Sequence, residues 1–413
     1  MGLDGILCGA PERIDSLIAT GDIPPMIGVY LQPGVVYAPD STPDERKVLR
    51  WNRSNEFDAP DGRFARFLET ELLPAVRTTR TAAGDSIKLL DGPENAMIFG
   101  LSSGGICAFN VAWQRPDLFG RIYSGCGTFV PMRGADELQS LVRKTEPAPV
   151  KVFLQDGYTD TWNPLFGSWY EANRLLASAL EFAGYDCAFD WAEGGHSVVR
   201  TSAIFPEVMK WMWSDYAAAP DKPLAPISAG SSGNGTLAPI LDGAGQWEAV
   251  TGIEASRYIT DTLDNRAGEC ILPEATYPGG AHVAVAVPGS NYLWQYLINA
   301  EGKRYAGQPF YWLHAPENRT LRIADMTFDG DGMLWVVTDA GLQICDQNGR
   351  VRAIIRLPQD IATALTDSRE APFRGRLAIT EDAVFLTTPT VTYRRYLRVA
   401  PAGDTAPRSQ GPA

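Results

Sequence analysis

The chain has 413 residues, 45% of them hydrophobic and 21% charged, with a formal net charge of −13 at neutral pH. This is the composition of a folded globular protein too long for one ordinary core, so two domains are expected. The acidic balance argues against nucleic acid and anionic membrane surfaces as partners, and no apolar run approaches the roughly 18 residues of a membrane span.

The first residues, "MGLDGILCGAPERID", have no basic n-region and no long apolar h-region, so no secretion signal is visible. The chain reads as cytoplasmic as it stands, and as periplasmic or secreted if it is N-terminally trimmed. "MIGVYLQPG" (26–34) predicts a strand, and "DGRFARFLETELLPAV" (61–76) a helix with Phe64, Phe67, Leu68 and Leu72 on one face. "AMIFG" is a further strand, followed by a helix over "SGGICAFNVAWQRP" that stops at Pro116. "VKVFLQDG" predicts a strand, "GSWYEANRLLASALEFAGY" a helix, "DCAFDWAEGGH" a strand and loop, and "TSAIFPEVMKWMWSDY" a last helix. Strands separated by helices imply crossover units, so residues 1–216 read as α/β with a mostly parallel sheet covered by helices.

Alanine, proline, glycine and serine then dominate, and residues 217–240 read as a linker. Beyond it, over 241–405, "RYITDTLDNRAGECIL", "HVAVAVPGSNYLWQYLINAEGK", "MLWVVTDAGLQICDQNGRVRAII" and "LAITEDAVFLTTPTVTYRRYLRVA" are strand–turn–strand pieces. Their recurrence at roughly 30 to 50 residues points to an all-β, propeller-like domain, and about four blade-sized pieces make it a partial one.

Within "MIFGLSSGGICAFN" (97–110), Gly100, Leu101, Ser102, Ser103 and Gly104 satisfy G-x-S-x-G. The pattern alone is weak, but here a strand leads in and a helix follows, the setting in which a serine is held on a strained turn. "GSSGNG" in the linker has similar composition and lacks both spacing and flanks. A hydroxyl nucleophile needs a base, and the order Ser, Asp or Glu, His belongs to this fold. His196, in "WAEGGHSVVR", follows the last predicted strand and is the one histidine of the α/β half; His282 and His314 fall in the β-rich half and read as structural. Between serine and histidine, "VFLQDGYTDTWN" offers Asp156 and Asp160. Asp160, beyond the turn, has the longer reach and is the preferred acid; Asp156 is left to fix the turn, and Asp190 and Glu193 to line the histidine loop.

The oxyanion hole needs two backbone N–H groups. Ser103, directly after the nucleophile, supplies the first, and Gly5 in "MGLDG" is the candidate for the second. Trp162, Asn163 and Trp169 follow the acid and are candidates for the acyl or sugar pocket. The cysteines Cys8, Cys107, Cys126, Cys187, Cys270 and Cys345 have no C-x-x-C spacing and read as buried reduced thiols. "DGDGM" (329–333) lacks the ligand spacing of an EF-hand and reads as a hairpin turn.

At "GLSSGGICAFNVAWQRPDLF", "KTEPAPVKVFLQDGYTDTWNP" and "AEGGHS" the chain resembles the enterochelin esterase-like, or esterase D-like, α/β-hydrolases, a group that includes feruloyl and acetyl-xylan esterases. The resemblance spans about residues 4–215. It implies hydrolysis of carboxylic esters by Ser102, Asp160 and His196 through an acyl-enzyme, with no cofactor, on feruloyl or acetyl sugar esters or other small carboxylic esters. Members of that group carry further strands before the "DG" loop; here the sheet lacks an edge or the chain is trimmed. "GQPFYWLHAPENRTLRIADMTFDGDGMLWVVTDAGLQICDQNGRV" is similar to the gluconolactonase-like β-propellers. That likeness implies a divalent-metal ligand at Asp325. Two further readings follow: a metal-dependent sugar lactonase in the C-terminal domain, or a binding protein without catalysis. The small-molecule or carbohydrate ester is the expected partner.

Overall fold

In the computed structural model, residues 8–42, 44–228, 246–250, 273–316, 319–365, 373–380 and 382–397 are described. The chain separates into two units, Met1–Arg143 with Pro147–Ser231, and Lys144–Glu146 with Ser232–Ala413. Among its described residues the first opens with helix α1 (Ala10–Ala19) and a small antiparallel ladder of β1 (Val35–Tyr37) and β2 (Val48–Trp51). Its main sheet is parallel, with β3 (Met97–Leu101), β4 (Arg121–Gly125), β5 (Lys151–Gly157) and β6 (Asp186–Ala192) side by side in chain order. Helices α2 (Ser103–Gln114), α3 (Leu138–Lys144) and α4 (Trp169–Ala183) make the crossovers, and α5 (Val198–Met212) follows β6. Parallel strands need such crossovers, because the chain must return to the same end of the sheet. The loops that leave β3, β4, β5 and β6 therefore gather at one end, where open α/β sheets place their ligands.

Both faces of the sheet are covered. Tyr123 and Phe153 meet Leu17 of α1 and Phe205, Val208, Met209 and Met212 of α5 in one buried cluster. Cys107 and Val111 of α2 pack with Phe57, Ala65 and Leu68 in another. The segment Arg63–Thr78 is helical with one wider turn at Leu68–Leu72, and Ala65 and Leu68 are its buried residues.

Two expectations change. Residues 26–34 form no strand; the first strand is Val35–Tyr37. Pro24, Pro25 and Pro33 offer no N–H for a ladder, and Ile27 and Val29 stay exposed. Conversely "RIYSG" is β4, buried at all five residues although it lacks a long apolar run. Arg121 enters the core there because each of its three guanidinium nitrogens has an acceptor. It donates to the Glu94 carbonyl at 3.1 Å, to Asp215 at 2.7 Å and to the Met212 carbonyl, and lies 4.3 Å over the Trp213 ring.

The second unit holds three four-stranded antiparallel sheets among its described residues. The first joins β8 (Glu274–Thr276), β9 (His282–Val285), β10 (Tyr292–Ile298) and β11 (Arg304–Trp312), after β7 (Glu248–Val250) earlier in the chain. The second joins β12 (Ile323–Phe328), β13 (Leu334–Thr338), β14 (Gly341–Cys345) and β15 (Val351–Ile355). After helix α6 (Gln359–Ala364), β16 (Arg376–Ile379), β17 (Ala383–Thr387) and β18 (Thr392–Tyr396) form the third sheet, whose fourth strand is β7. The first strands of the three sheets are neighbours, β12 lying beside both β8 and β16. Residues 257–272, one of the expected strand pieces, lie outside the described residues. Residues 329–333 are the turn between β12 and β13, where the Asp329 carboxylate accepts the N–H groups of Asp331 and Met333 and the indole N–H of Trp335. Among the described residues, no helix is long and apolar enough to cross a membrane.

Candidate active site

Strand β3 runs into α2 through Ser102, whose φ of 56° and ψ of −121° lie outside the regions favoured by L-residues. Small neighbours permit that turn: a Cβ on Gly100 would lie 1.8 Å from the Gly104 carbonyl oxygen. The turn is held from behind, because Ser102 N–H donates to Gly125 O at 2.9 Å and its carbonyl accepts from Thr128 N–H at 3.1 Å. The Ser102 side chain thus stands at the loop end of the sheet.

His196 arrives from the loop between β6 and α5, and Asp160 from the turn after β5. These two loops are stitched together, Tyr158 N–H donating to Ala192 O at 2.9 Å and Thr159 N–H to Gly194 O at 3.0 Å. Gly157 makes the approach possible: a Cβ there would stand 2.1 Å from the Gly194 oxygen. Ser197 then caps α5, its hydroxyl accepting from Val199 N–H at 3.2 Å.

The three side chains form one relay. His196 Nδ1 lies 2.8 and 3.0 Å from the Asp160 carboxylate oxygens, and Nε2 lies 2.8 Å from Ser102 Oγ. An ionised carboxylate only accepts, so Nδ1 carries the proton and Nε2 is left to accept the serine hydroxyl. Asp160 has a fully buried side chain, which by itself raises its pKa. Hydrogen bonds from His196 and the Thr161 N–H, together with the neighbouring Asp156, outweigh burial and hold the carboxyl below its ordinary value. The arrangement can therefore withdraw the Ser102 proton and keep the resulting imidazolium paired.

Of the other sequence candidates, Ser103 heads α2, where first-turn N–H groups have no acceptor within the helix. Gly5 lies outside the described residues. Trp169 is buried at the start of α4 with its ring edge-to-face on His196, centroids 6.2 Å apart. Asn163 is spent on its own turn, accepting from Leu165 N–H at 2.8 Å and Phe166 N–H at 3.3 Å, while Trp162 is exposed. Asp190 pairs with Arg200 at 2.8 Å. Asp325 is drawn away from solvent, which raises its pKa, and its carboxylate accepts the Leu377 N–H at 2.8 Å. Among the described residues, the one convergent group of potential metal-binding side chains is Cys126, Asp160 and His196, and Asp325 is not in it.

The family model named Esterase, described as "Putative esterase", matches residues 3–225. The chain belongs to the Esterase family. Solved structures similar to this family member include an enterobactin esterase from Shigella flexneri, at 20% identity and a TM-score of 0.36 over 49% of this chain and 47% of that one. The esterase-family chain thus spans about half the length of that relative. A ferulic acid esterase is similar at 17% identity and a TM-score of 0.34, over 50% of this chain and 77% of its own. A gluconolactonase from Xanthomonas campestris is similar at 15% identity and a TM-score of 0.23, over 30% of this chain and 37% of its own. No curated protein matches the chain.

Three residues of this esterase-family site escape the sequence reading. Thr128 Oγ1 lies 3.4 Å from Ser102 Oγ and accepts the Trp169 indole N–H at 3.3 Å. Cys126, in the same loop, has a φ of 37° and lies within 4.8 Å of ligand atoms of both Asp160 and His196. Asn173 of α4 is fully buried against Gly127, Asp156 and Trp169. The small-residue run "SGCGT" is the only local signal for the loop, and it becomes informative once β4 is recognised.

Proposed function

We propose that the first unit is a serine-dependent carboxylic ester hydrolase. The observation that carries the reading is the unbroken relay from Asp160 through His196 to a strained Ser102, within a chain of the Esterase family. Ser102 Oγ attacks the ester carbonyl as its proton moves to His196 Nε2. The tetrahedral oxyanion is held by the Ser103 N–H and a second donor, for which Gly5 remains the candidate. Collapse expels the alcohol, protonated by His196, and leaves an acyl group on Ser102. Water, with His196 again as base, releases the acid. Asp160 keeps the imidazole in the tautomer that accepts from serine throughout.

This chemistry calls for no metal or organic cofactor. The substrate class is a small carboxylic ester, feruloyl and acetyl sugar esters included. The exposed Trp162 is the aromatic surface proposed for an acyl or sugar group, while Trp169, buried beside His196, packs against the imidazole. The three sheets of the second unit are read as part of a β-propeller, an accessory domain in this scheme. The test is a panel of p-nitrophenyl, feruloyl and aldonolactone substrates against the native chain and Ser102→Ala. Ester turnover that vanishes in the variant is the expected result; turnover retained by the variant, or chelator-sensitive lactone hydrolysis alone, contradicts it.

A further inference from the structure

The loop after β4 reaches the nucleophile through a side chain that the mechanism leaves unused. Thr128 is buried and bolted to the elbow by its backbone, its N–H donating to Ser102 O at 3.1 Å. Its hydroxyl oxygen meets the Trp169 indole nitrogen at 3.3 Å and Ser102 Oγ at 3.4 Å. An indole N–H can only donate, so the first contact occupies a lone pair of Thr128 Oγ1 and leaves its proton free to point elsewhere. The Ser102 proton, by contrast, is committed. Asp160 holds the proton of His196 on Nδ1, so Nε2, 2.8 Å from Ser102 Oγ, accepts from the serine. Between the two hydroxyls the donor is therefore Thr128. The donors run in one direction, from Trp169 to Thr128 to Ser102 to His196.

We infer that Thr128 is a further catalytic residue, its hydroxyl donating a hydrogen bond to Ser102 Oγ and stabilising the charge that builds there as the serine proton leaves. The inference rests on Ser102 being the nucleophile of an ester hydrolase. At 3.4 Å the contact is longer than the roughly 2.7–2.8 Å usual between hydroxyls, so it is weak at rest. Charge on the acceptor shortens and strengthens such a bond. The interaction thus grows on the way to the transition state, which is the condition for lowering a barrier. Oγ carries that charge twice, as it attacks the ester carbonyl and as it leaves the acyl group. Thr128 keeps its own proton throughout. The serine proton goes to His196 Nε2 in acylation, and in deacylation the proton taken from water returns to Oγ through the same nitrogen. Thr128 acts on Oγ, whereas the oxyanion-hole donors face the carbonyl oxygen. Thr128 and Trp169 are both buried, so solvent does not replace the hydroxyl when it is removed.

Thr128→Val and Thr128→Ser separate the hydroxyl from the shape. The first keeps the shape and removes the donor; the second keeps the donor and removes a methyl group. On p-nitrophenyl esters, Thr128→Val is expected to lose about tenfold to a hundredfold in kcat with KM little changed, in the acylation burst and in the steady state alike. Fluorophosphonate labelling of Ser102, which needs no turnover, should slow by a similar factor. Thr128→Ser should stay within about threefold of the native chain in both assays, because the donor is kept. Thr128→Val also deprives the Trp169 N–H of this acceptor, so Trp169→Phe is added to it as a control. Recovery of kcat in that double variant assigns the loss to the indole and overturns the proposal; a persisting loss supports it. Native-like turnover and labelling in Thr128→Val overturn it as well. So does a loss above about tenfold in Thr128→Ser, since the methyl group would then be what matters, and this variant decides if Thr128→Val does not fold. A native chain that neither turns over esters nor labels at Ser102 brings down the esterase reading and this inference with it. Native turnover with an unaffected Thr128→Val brings down the inference alone.

Discussion

Asp160→Asn tests the direction of the proton relay without removing a side chain. The carboxylate accepts His196 Nδ1–H at 2.8 and 3.0 Å, so the imidazole is held with its proton on Nδ1. An amide in the same place can turn its NH2 toward Nδ1, which must then accept. The proton moves to Nε2, 2.8 Å from Ser102 Oγ, where a donor faces the hydroxyl it should deprotonate. The buried Asp160 side chain leaves no water to compensate for the exchange. Losing both the tautomer and the paired imidazolium should cost about 10³ to 10⁴ in kcat, or about 4 to 5.5 kcal/mol of transition-state stabilisation. Steady-state hydrolysis of a p-nitrophenyl ester, followed from pH 5 to 9, gives kcat and KM separately, and KM should change little. A loss smaller than about tenfold across that range would refute the argument, since His196 would then be working without Asp160.

Two further outcomes concern stability. Burial, and then the neighbouring Asp160, push the Asp156 carboxyl well above the ordinary carboxylate range, up to about 9. The stability that its proton confers is complete below the unfolded pKa and is lost as pH rises toward the folded one. The melting temperature of Asp156→Asn should therefore gain on that of the native chain between about pH 5 and 9; a gap that stays constant with pH contradicts the assignment. Arg121→Met should lower stability by about 1–3 kcal/mol in denaturant titration, because it leaves the Met212 and Glu94 carbonyls without a donor at a buried position and the half-exposed Asp215 to solvent alone. A change below about 1 kcal/mol would mean that the Arg121 contacts add little.

How much of this was legible follows from where each signal lives. The elbow announces itself locally, since a strand, a glycine-flanked serine and a helix are contiguous in 97–110. His196 is legible because histidine is scarce and the loop after β6 has a clear strand before it. Asp160 against Asp156 is a three-dimensional question: both sit at the end of β5, and Gly157 and Gly194 decide how closely the acid turn meets the histidine loop. Strand β4 hides because Arg121, Ser124 and Gly125 read as polar or flexible, and with it hides the Cys126–Thr128 loop behind the serine. The 26–34 segment misleads in the opposite sense, its apolar residues lying between prolines that no sheet neighbour can use. In the second unit the alternating strands are plain from the sequence, whereas Asp325 is bound to the Leu377 amide, a contact no motif announces.

The central claim is that Ser102 is the activated nucleophile. Incubation of the folded chain with a fluorophosphonate, followed by peptide mass spectrometry, tests it most directly. The account predicts one adduct, on Ser102, formed rapidly in the native chain and absent from Ser102→Ala, with labelling slowed about a hundredfold or more in His196→Ala. Native protein that takes up no label, or that labels equally fast without His196, would contradict it.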